Sequence, residues 1–173
     1  MDKITEIFDR KAFSSKDGIL TNPQIVLMCG LPRSGKSMFV DKYLRNMQLI
    51  CPDDIRLAFG SIFNPNLENY VWAAIYTMTK AHMIRSSNIV IDATNTSYKR
   101  VIPFDNLAIE NKYKLIVCLI DTPLEVCLER NKLSGGVPEE VIYRMHESLE
   151  EFKTSAYFKN LDVKYYKGGD LTN

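Results

Sequence analysis

Residues Gly30-Leu31-Pro32-Arg33-Ser34-Gly35-Lys36-Ser37 fit the pattern G-x-x-x-x-G-K-[ST] at every fixed position. At average residue usage, a chance match arises in roughly one chain of this length in a hundred or fewer. The flanks narrow the fold further. Ile25 to Cys29 (IVLMC) is a short apolar run without polar alternation, as expected of a strand buried on both faces. Ser37 to Arg45 follows with Phe39, Val40, Tyr43 and Leu44 on one wide helical face. A strand that turns through glycines into a helix aims successive N–H groups and the positive end of the helix at one point. That arrangement binds phosphate. Few folds other than a parallel α/β sheet present it.

The rest of the chain keeps the alternation. Gln48 to Cys51, Asn88 to Asp92, Lys114 to Ile120 and Val163 to Lys167 read as four more strands. Between them, Leu67, Val71, Ala74, Met78 and Ala81 recur at helical spacing, as do Val141, Met145, Leu149 and Phe152. Pro138 with Glu139 and Glu140 gives the latter helix its start. Methionines and aromatics on these helices, Trp72 among them, are expected in the core. The prediction is a P-loop NTPase fold of class α/β: a parallel five-stranded sheet with helices on both faces and a small lid. At 173 residues the chain has the size of one domain. Residues 25–173 are expected to form it. Residues 1–24 read as an N-terminal extension, with Ile4, Ile7 and Phe8 on a short helix and a turn at Asp17-Gly18.

Lys and Arg number 22 against 21 Asp and Glu, a net charge of +1. This argues against tight, sequence-independent binding to long duplex DNA, which needs many uncompensated cations. A small basic pocket remains compatible with it. The longest apolar run, Leu115 to Ile120, is far too short to span a bilayer, and Met1-Asp2-Lys3 opens no secretory signal. Cys29, Cys51, Cys118 and Cys127 form neither a CxxC pair nor a zinc pattern, so four reduced thiols in a cytoplasmic protein are expected. His82 and His146 fall in helical patterns away from the motifs.

Two more segments carry chemistry. Cys51-Pro52-Asp53-Asp54-Ile55-Arg56 follows the second strand. A strand end beside a phosphate loop is where open α/β sheets bind ligands. Asp53 there either accepts a proton from an attacking hydroxyl or caps the helix. Arg56, one turn on, either holds an anionic acceptor or folds back on Asp53 or Asp54. The third strand ends in Asp92-Ala93-Thr94-Asn95-Thr96-Ser97. A carboxylate at the end of a buried strand is costly without a partner. Mg²⁺, held through water or beside Ser37, is the expected one, and a helix cap is the alternative. Thr94 and Asn95 add polar groups to the same rim on the acceptor side.

Taken in order and spacing, GLPRSGKS, CPDDIR, DATNTS and CLERNK resemble the P-loop kinases of the polynucleotide 5′-kinase family, over roughly Ile25 to Lys167. The resemblance implies that ATP lies on Gly30, Arg33, Ser34, Gly35, Lys36 and Ser37. It implies Mg²⁺ at Ser37 and Asp92, Asp53 as general base, and Arg56 on the acceptor's 3′-phosphate. Lys36, Asp53 and Arg130 would then be the catalytic set, with a lid around 130–137 that begins at Arg130. Members often carry a second lid arginine four residues later. This chain has Ser134 there, and Lys132 and Arg144 are the nearby candidates to replace it. The activity implied is transfer of the γ-phosphate to the 5′-hydroxyl end of a nucleic acid. Two rivals stand beside it: a kinase acting on a nucleoside, sugar or cell-wall precursor, and a nucleotide-binding switch with weak transfer activity.

Overall fold

The computed structural model describes residues 22–60, 63–134 and 136–168. The expectations for residues 1–21 lie outside the described residues. Five strands form one sheet: β1 (Gln24–Cys29), β2 (Gln48–Ile50), β3 (Ile89–Ile91), β4 (Lys114–Asp121) and β5 (Val163–Lys167). Their order across the sheet is β2-β3-β1-β4-β5, and each neighbouring pair is parallel. Cys51 and Asp92 fall just beyond the strands the sequence assigned them to. The helices are α1 (Lys36–Tyr43), α2 (Pro52–Ala58), α3 (Glu68–Ile84), α4 (Tyr98–Glu110), α5 (Leu124–Ser134), α6 (Glu139–Thr154) and the single turn α7 (Ala156–Lys159).

Alternation along β1 sorts its side chains onto the two faces of the sheet. Val26 and Met28 point to one side and meet Phe39, Val40 and Leu44 of α1 and its end. Ile25, Leu27 and Cys29 point to the other, where α3, α4 and α6 pack. Both faces are dry at β1, β3 and most of β4, which is why these strands read as unbroken apolar runs, whereas the edge strands β2 and β5 are partly exposed. Each fully buried Val, Ile or Phe contributes about 1.5–3 kcal/mol of transfer free energy. All four cysteines are free, and Cys29, Cys118 and Cys127 are buried.

The buried face of α3 differs from the expected one. Val71, Ile75, Thr79 and Met83 are buried, whereas Met78 is 39% exposed and Ala81 is exposed. Thr79 hides this row from a hydropathy reading. Its hydroxyl donates to the Ile75 carbonyl at 2.8 Å, which lets a polar side chain sit in the core. Trp72 is likewise only partly buried.

Among the described residues, no helix is long and apolar enough to cross a membrane.

Candidate active site

β1 lies at the centre of the sheet, so the loop that leaves it is flanked by the exits of β3 and β4. Each flank holds the loop. On the β3 side, the Gly30 N–H donates to the Thr94 carbonyl at 2.9 Å. On the β4 side, the Thr122 hydroxyl donates to the Ser34 carbonyl at 2.8 Å. Gly30 has φ +141°, and a Cβ there would lie 2.7 Å from the Ile120 carbonyl oxygen. Only glycine fits so close to β4. Gly35, with φ +105°, turns the chain into α1.

Lys36 is buried within this loop, and its ammonium donates to the Leu31 carbonyl at 2.7 Å. Burial lowers its pKa, against the pull of Asp92 and Asp53. Ser37 opens toward β3, and its hydroxyl donates to Asp92 Oδ2 at 2.7 Å. Burial raises the pKa of the Asp92 carboxyl, against the hydrogen bond from Ser37. The capping alternative for Asp92 has no support: the cap position of α4 is Ser97, with no side-chain bond to the helix.

α2 brings in the next group. Its cap position is Cys51, again without a side-chain cap bond, so Asp53 in the first turn is not the cap. The Asp53 side chain is 78% exposed. It lies close enough to act electrostatically on both Lys36 and Asp92. Arg56 is folded back, as one of its two sequence readings had it, but chiefly onto a residue that reading did not name. Glu68, at the start of α3, takes Arg56 Nε at 2.7 Å and Nη2 at 2.9 Å in a two-pronged pair. Arg56 Nη1 donates to Asp53 Oδ1 at 2.6 Å. These hydrogen bonds hold the Glu68 carboxyl below its usual range and raise the arginine's pKa.

Thr94 and Asn95 do not sit together on an acceptor rim. Asn95 is 1% exposed, with a left-handed φ of +43°. Its amide turns inward and donates to the Met28 carbonyl at 2.8 Å, so it braces β1 from below. Thr94 meets the loop through its backbone carbonyl.

On the far side, Arg130 of α5 reaches the phosphate loop, with Nη1 donating to the Arg33 carbonyl at 3.1 Å. Ser134 bonds back to the Arg130 carbonyl at 2.7 Å. A Cβ on Gly136 would lie 3.1 Å from Arg33 Nη2, so the segment after α5 touches the loop. Asn131 closes that segment. Its amide donates to the Val137 carbonyl at 2.7 Å and accepts from the Val137 N–H at 3.4 Å.

The AAA domain family matches residues 25–152, most of the chain. The chain belongs to the AAA domain family. Within that family it is a P-loop kinase domain. The AAA domain is 26% identical over 147 residues to a protein of Acanthamoeba polyphaga mimivirus named as a bifunctional polynucleotide phosphatase/kinase. The match covers 80% of this chain and 32% of that protein. Among solved structures, it matches a chain of the Pnkp1/Rnl/Hen1 RNA repair complex with a TM-score of 0.68 and 25% identity. That match covers 81% of this chain and 48% of the other. It also matches the Mycobacterium tuberculosis APS kinase CysC, solved with AMPPNP and APS. There the TM-score is 0.55 at 16% identity, over 84% of this chain and 88% of that one, a likeness of fold. The AAA domain spans about a third of the mimivirus protein and about half of the repair-complex chain.

Proposed function

We propose that this kinase transfers the γ-phosphate of ATP to the 5′-hydroxyl end of a polynucleotide. The observation that carries the reading is the position of Asp53. It is an exposed carboxylate within electrostatic reach of both the phosphate-loop lysine and the Ser37–Asp92 pair, with a guanidinium on its other flank. The likeness to polynucleotide kinases in sequence and fold supports the acceptor class.

In this reading the triphosphate lies along Gly30 to Ser37, held by loop N–H groups and Lys36. Arg33 and Arg130 line the side facing α5. Asp53 Oδ2 makes no hydrogen bond among the described residues and is open to accept the hydroxyl proton. The protein's work is positioning and charge stabilisation, as expected for a loose phosphoryl transition state.

Ser37 and Asp92 fit a magnesium ion: one hydroxyl and one carboxylate, already 2.7 Å apart, beside the phosphate loop. Mg²⁺ is usually held by one or two such groups plus waters and substrate phosphates. When bound it would neutralise charge on the β- and γ-phosphate oxygens. Asp92→Asn is accordingly expected to raise the Mg²⁺ concentration needed for half-maximal transfer. A magnesium titration that superimposes on that of the unmodified protein would remove Asp92 from the metal site.

Arg56 gives the sharper test of the acceptor. Glu68 holds its Nε–Nη2 edge, so the Nη1 edge now on Asp53 is the one free to exchange partners. A phosphate 3′ of the reacting hydroxyl is the natural replacement, and the exchange would release Asp53 as acceptor binds. A hydrogen bond to a charged group is worth about 1.5–3 kcal/mol. A nucleoside 3′-monophosphate should therefore exceed the bare nucleoside by roughly 10- to 150-fold in kcat/KM. Arg56→Gln should erase most of that gap and barely alter KM for ATP. Equal values for the two acceptors in the unmodified protein would instead mean that the internal pair never opens. That result favours the small-molecule kinase reading.

The overall test is labelled-phosphate transfer from ATP, screened across 5′-hydroxyl oligonucleotides and small metabolites. Transfer to oligonucleotide ends supports the proposal. Transfer to a metabolite alone overturns it in favour of a small-molecule kinase, and no transfer to any acceptor points to a nucleotide-binding switch.

A further inference from the structure

Arg100 sits in the first turn of α4, and its guanidinium carbon lies 3.9 Å from the centroid of the Trp72 ring on α3. That contact satisfies the flat face of the guanidinium and none of its edge. Among the described residues, the edge N–H groups make no hydrogen bond or ion pair. The carboxylate within electrostatic reach, Glu68, is already taken on both oxygens by Arg56. Burial lowers the pKa of Arg100, and Arg56 adds like-charge repulsion. No acidic residue lies in the first turn of α4 to offset it. Arg100 is exposed, so these edge N–H groups face solvent and are open to an incoming anion, while the Trp72 ring holds the guanidinium plane in place.

Its neighbours say on which side of the site that anion enters. Glu68, Trp72 and Tyr76 follow one another at steps of four along α3, so their side chains form one row. Arg56 is fixed on the first of them and Arg100 on the second. The Tyr76 ring continues the row, 6.3 Å from that of Trp72 and 5.1 Å from that of Phe104 on α4. The groups that act electrostatically on Arg100 are Tyr76, Glu68 and Arg56, all on the acceptor side of Asp53. Two guanidinium groups are thus anchored on residues one helical turn apart, about 5–6 Å at Cβ. A ligand with a repeated anion suits that pair, and successive phosphates of a single strand have a spacing of that order.

We propose that Arg100, laid on the Trp72 ring, binds the second phosphate of a polynucleotide acceptor, one nucleotide beyond the phosphate assigned to Arg56. The proposal rests on the polynucleotide reading and sharpens it: the site measures two nucleotides, not one. Near-neutral overall charge is compatible with such a site, because two placed arginines replace a broad basic surface.

Two measurements test it. The first is kcat/KM for a nucleoside 3′-monophosphate and for a dinucleotide ending in a 3′-phosphate. The unmodified protein should prefer the dinucleotide by about 10-fold or more. Arg100→Gln should collapse the two values together, and Arg100→Lys, which keeps the charge and loses the planar fork, should fall between. A dinucleotide preference that survives Arg100→Gln would overturn the inference while leaving the polynucleotide reading in place. Failure of both nucleotides beside good transfer to a small metabolite would instead overturn the reading itself. The second measurement needs no variant. Trp72 is the single tryptophan of the chain, so its fluorescence reports directly on the stacked guanidinium. Titration with the 5′-phosphorylated dinucleotide product should shift that emission, and the mononucleotide product should shift it much less. Identical responses to the two would also count against Arg100.

Discussion

Lys36→Ala is expected to abolish phosphate transfer while leaving a folded protein. Lys36 is 8% exposed, and its ammonium is turned onto the Leu31 carbonyl, so it is held inside the loop. Removing one preorganised donor aimed at developing charge costs about 10²- to 10³-fold in kcat. Here the donor is a full cation facing a polyanion, so the loss should lie at or beyond the upper end. Folding should not suffer. Burial already lowers the pKa of this lysine, and deleting an ammonium whose burial is unfavourable does not threaten the core. Circular dichroism and thermal melting should give a folded protein with a midpoint at or above that of the unmodified one. Turnover of ATP at a near-normal rate would mean that this loop is not the working cradle.

Asp53→Asn should cost about 10²- to 10⁴-fold in kcat, the range for loss of a general base, with ATP binding retained. The variant separates chemistry from architecture because asparagine keeps the shape. Its carbonyl oxygen can still accept from Arg56 Nη1, and α2 does not rely on position 53 for its cap. What asparagine lacks is the ability to take a proton. Single-turnover transfer and equilibrium binding of ATP, measured on both proteins, check this. Comparable kcat in the two would reduce Asp53 to a surface partner of Arg56.

What the sequence made legible follows the range of the interactions involved. The phosphate loop is a local object: its donors, its glycines and the helix behind it lie within a few residues, so a pattern captures them. The sheet was legible because strands covered on both faces read as unbroken apolar runs. The Ser37–Asp92 pairing spans 55 residues, yet position alone suggested it, since parallel strands bring their carboxyl ends to one edge. Contacts between helices left no such trace. Arg56 and Glu68 lie 12 positions apart on separate helices with no shared periodicity, and the stack of Arg100 on Trp72 joins residues 28 positions apart on two helices. Thr122, which bonds the Ser34 carbonyl 88 residues away, looked like any residue opening a helix. Position 168 is as hidden. A Cβ there would overlap Thr122 Oγ1, so only glycine fits. Asn95 shows the converse error. Sequence places a polar residue near a rim but not the direction in which the backbone aims it, and one left-handed φ turned this amide into the sheet.

The clamp of Asn131 on Val137 bears on speed. Because one amide ties Asn131 to Val137, α5 and the approach of α6 are held together at that point. A flap with free feet flickers in nanoseconds to microseconds, whereas helices that must swing together move in microseconds to milliseconds. Opening this side of the nucleotide cradle therefore means swinging a helical hairpin off Arg33. In the proposed kinase cycle, departure of spent nucleotide would then be the slow beat, behind the phosphoryl step. Cutting the tie with Asn131→Ala is a way to quicken that beat while loosening the grip on ATP.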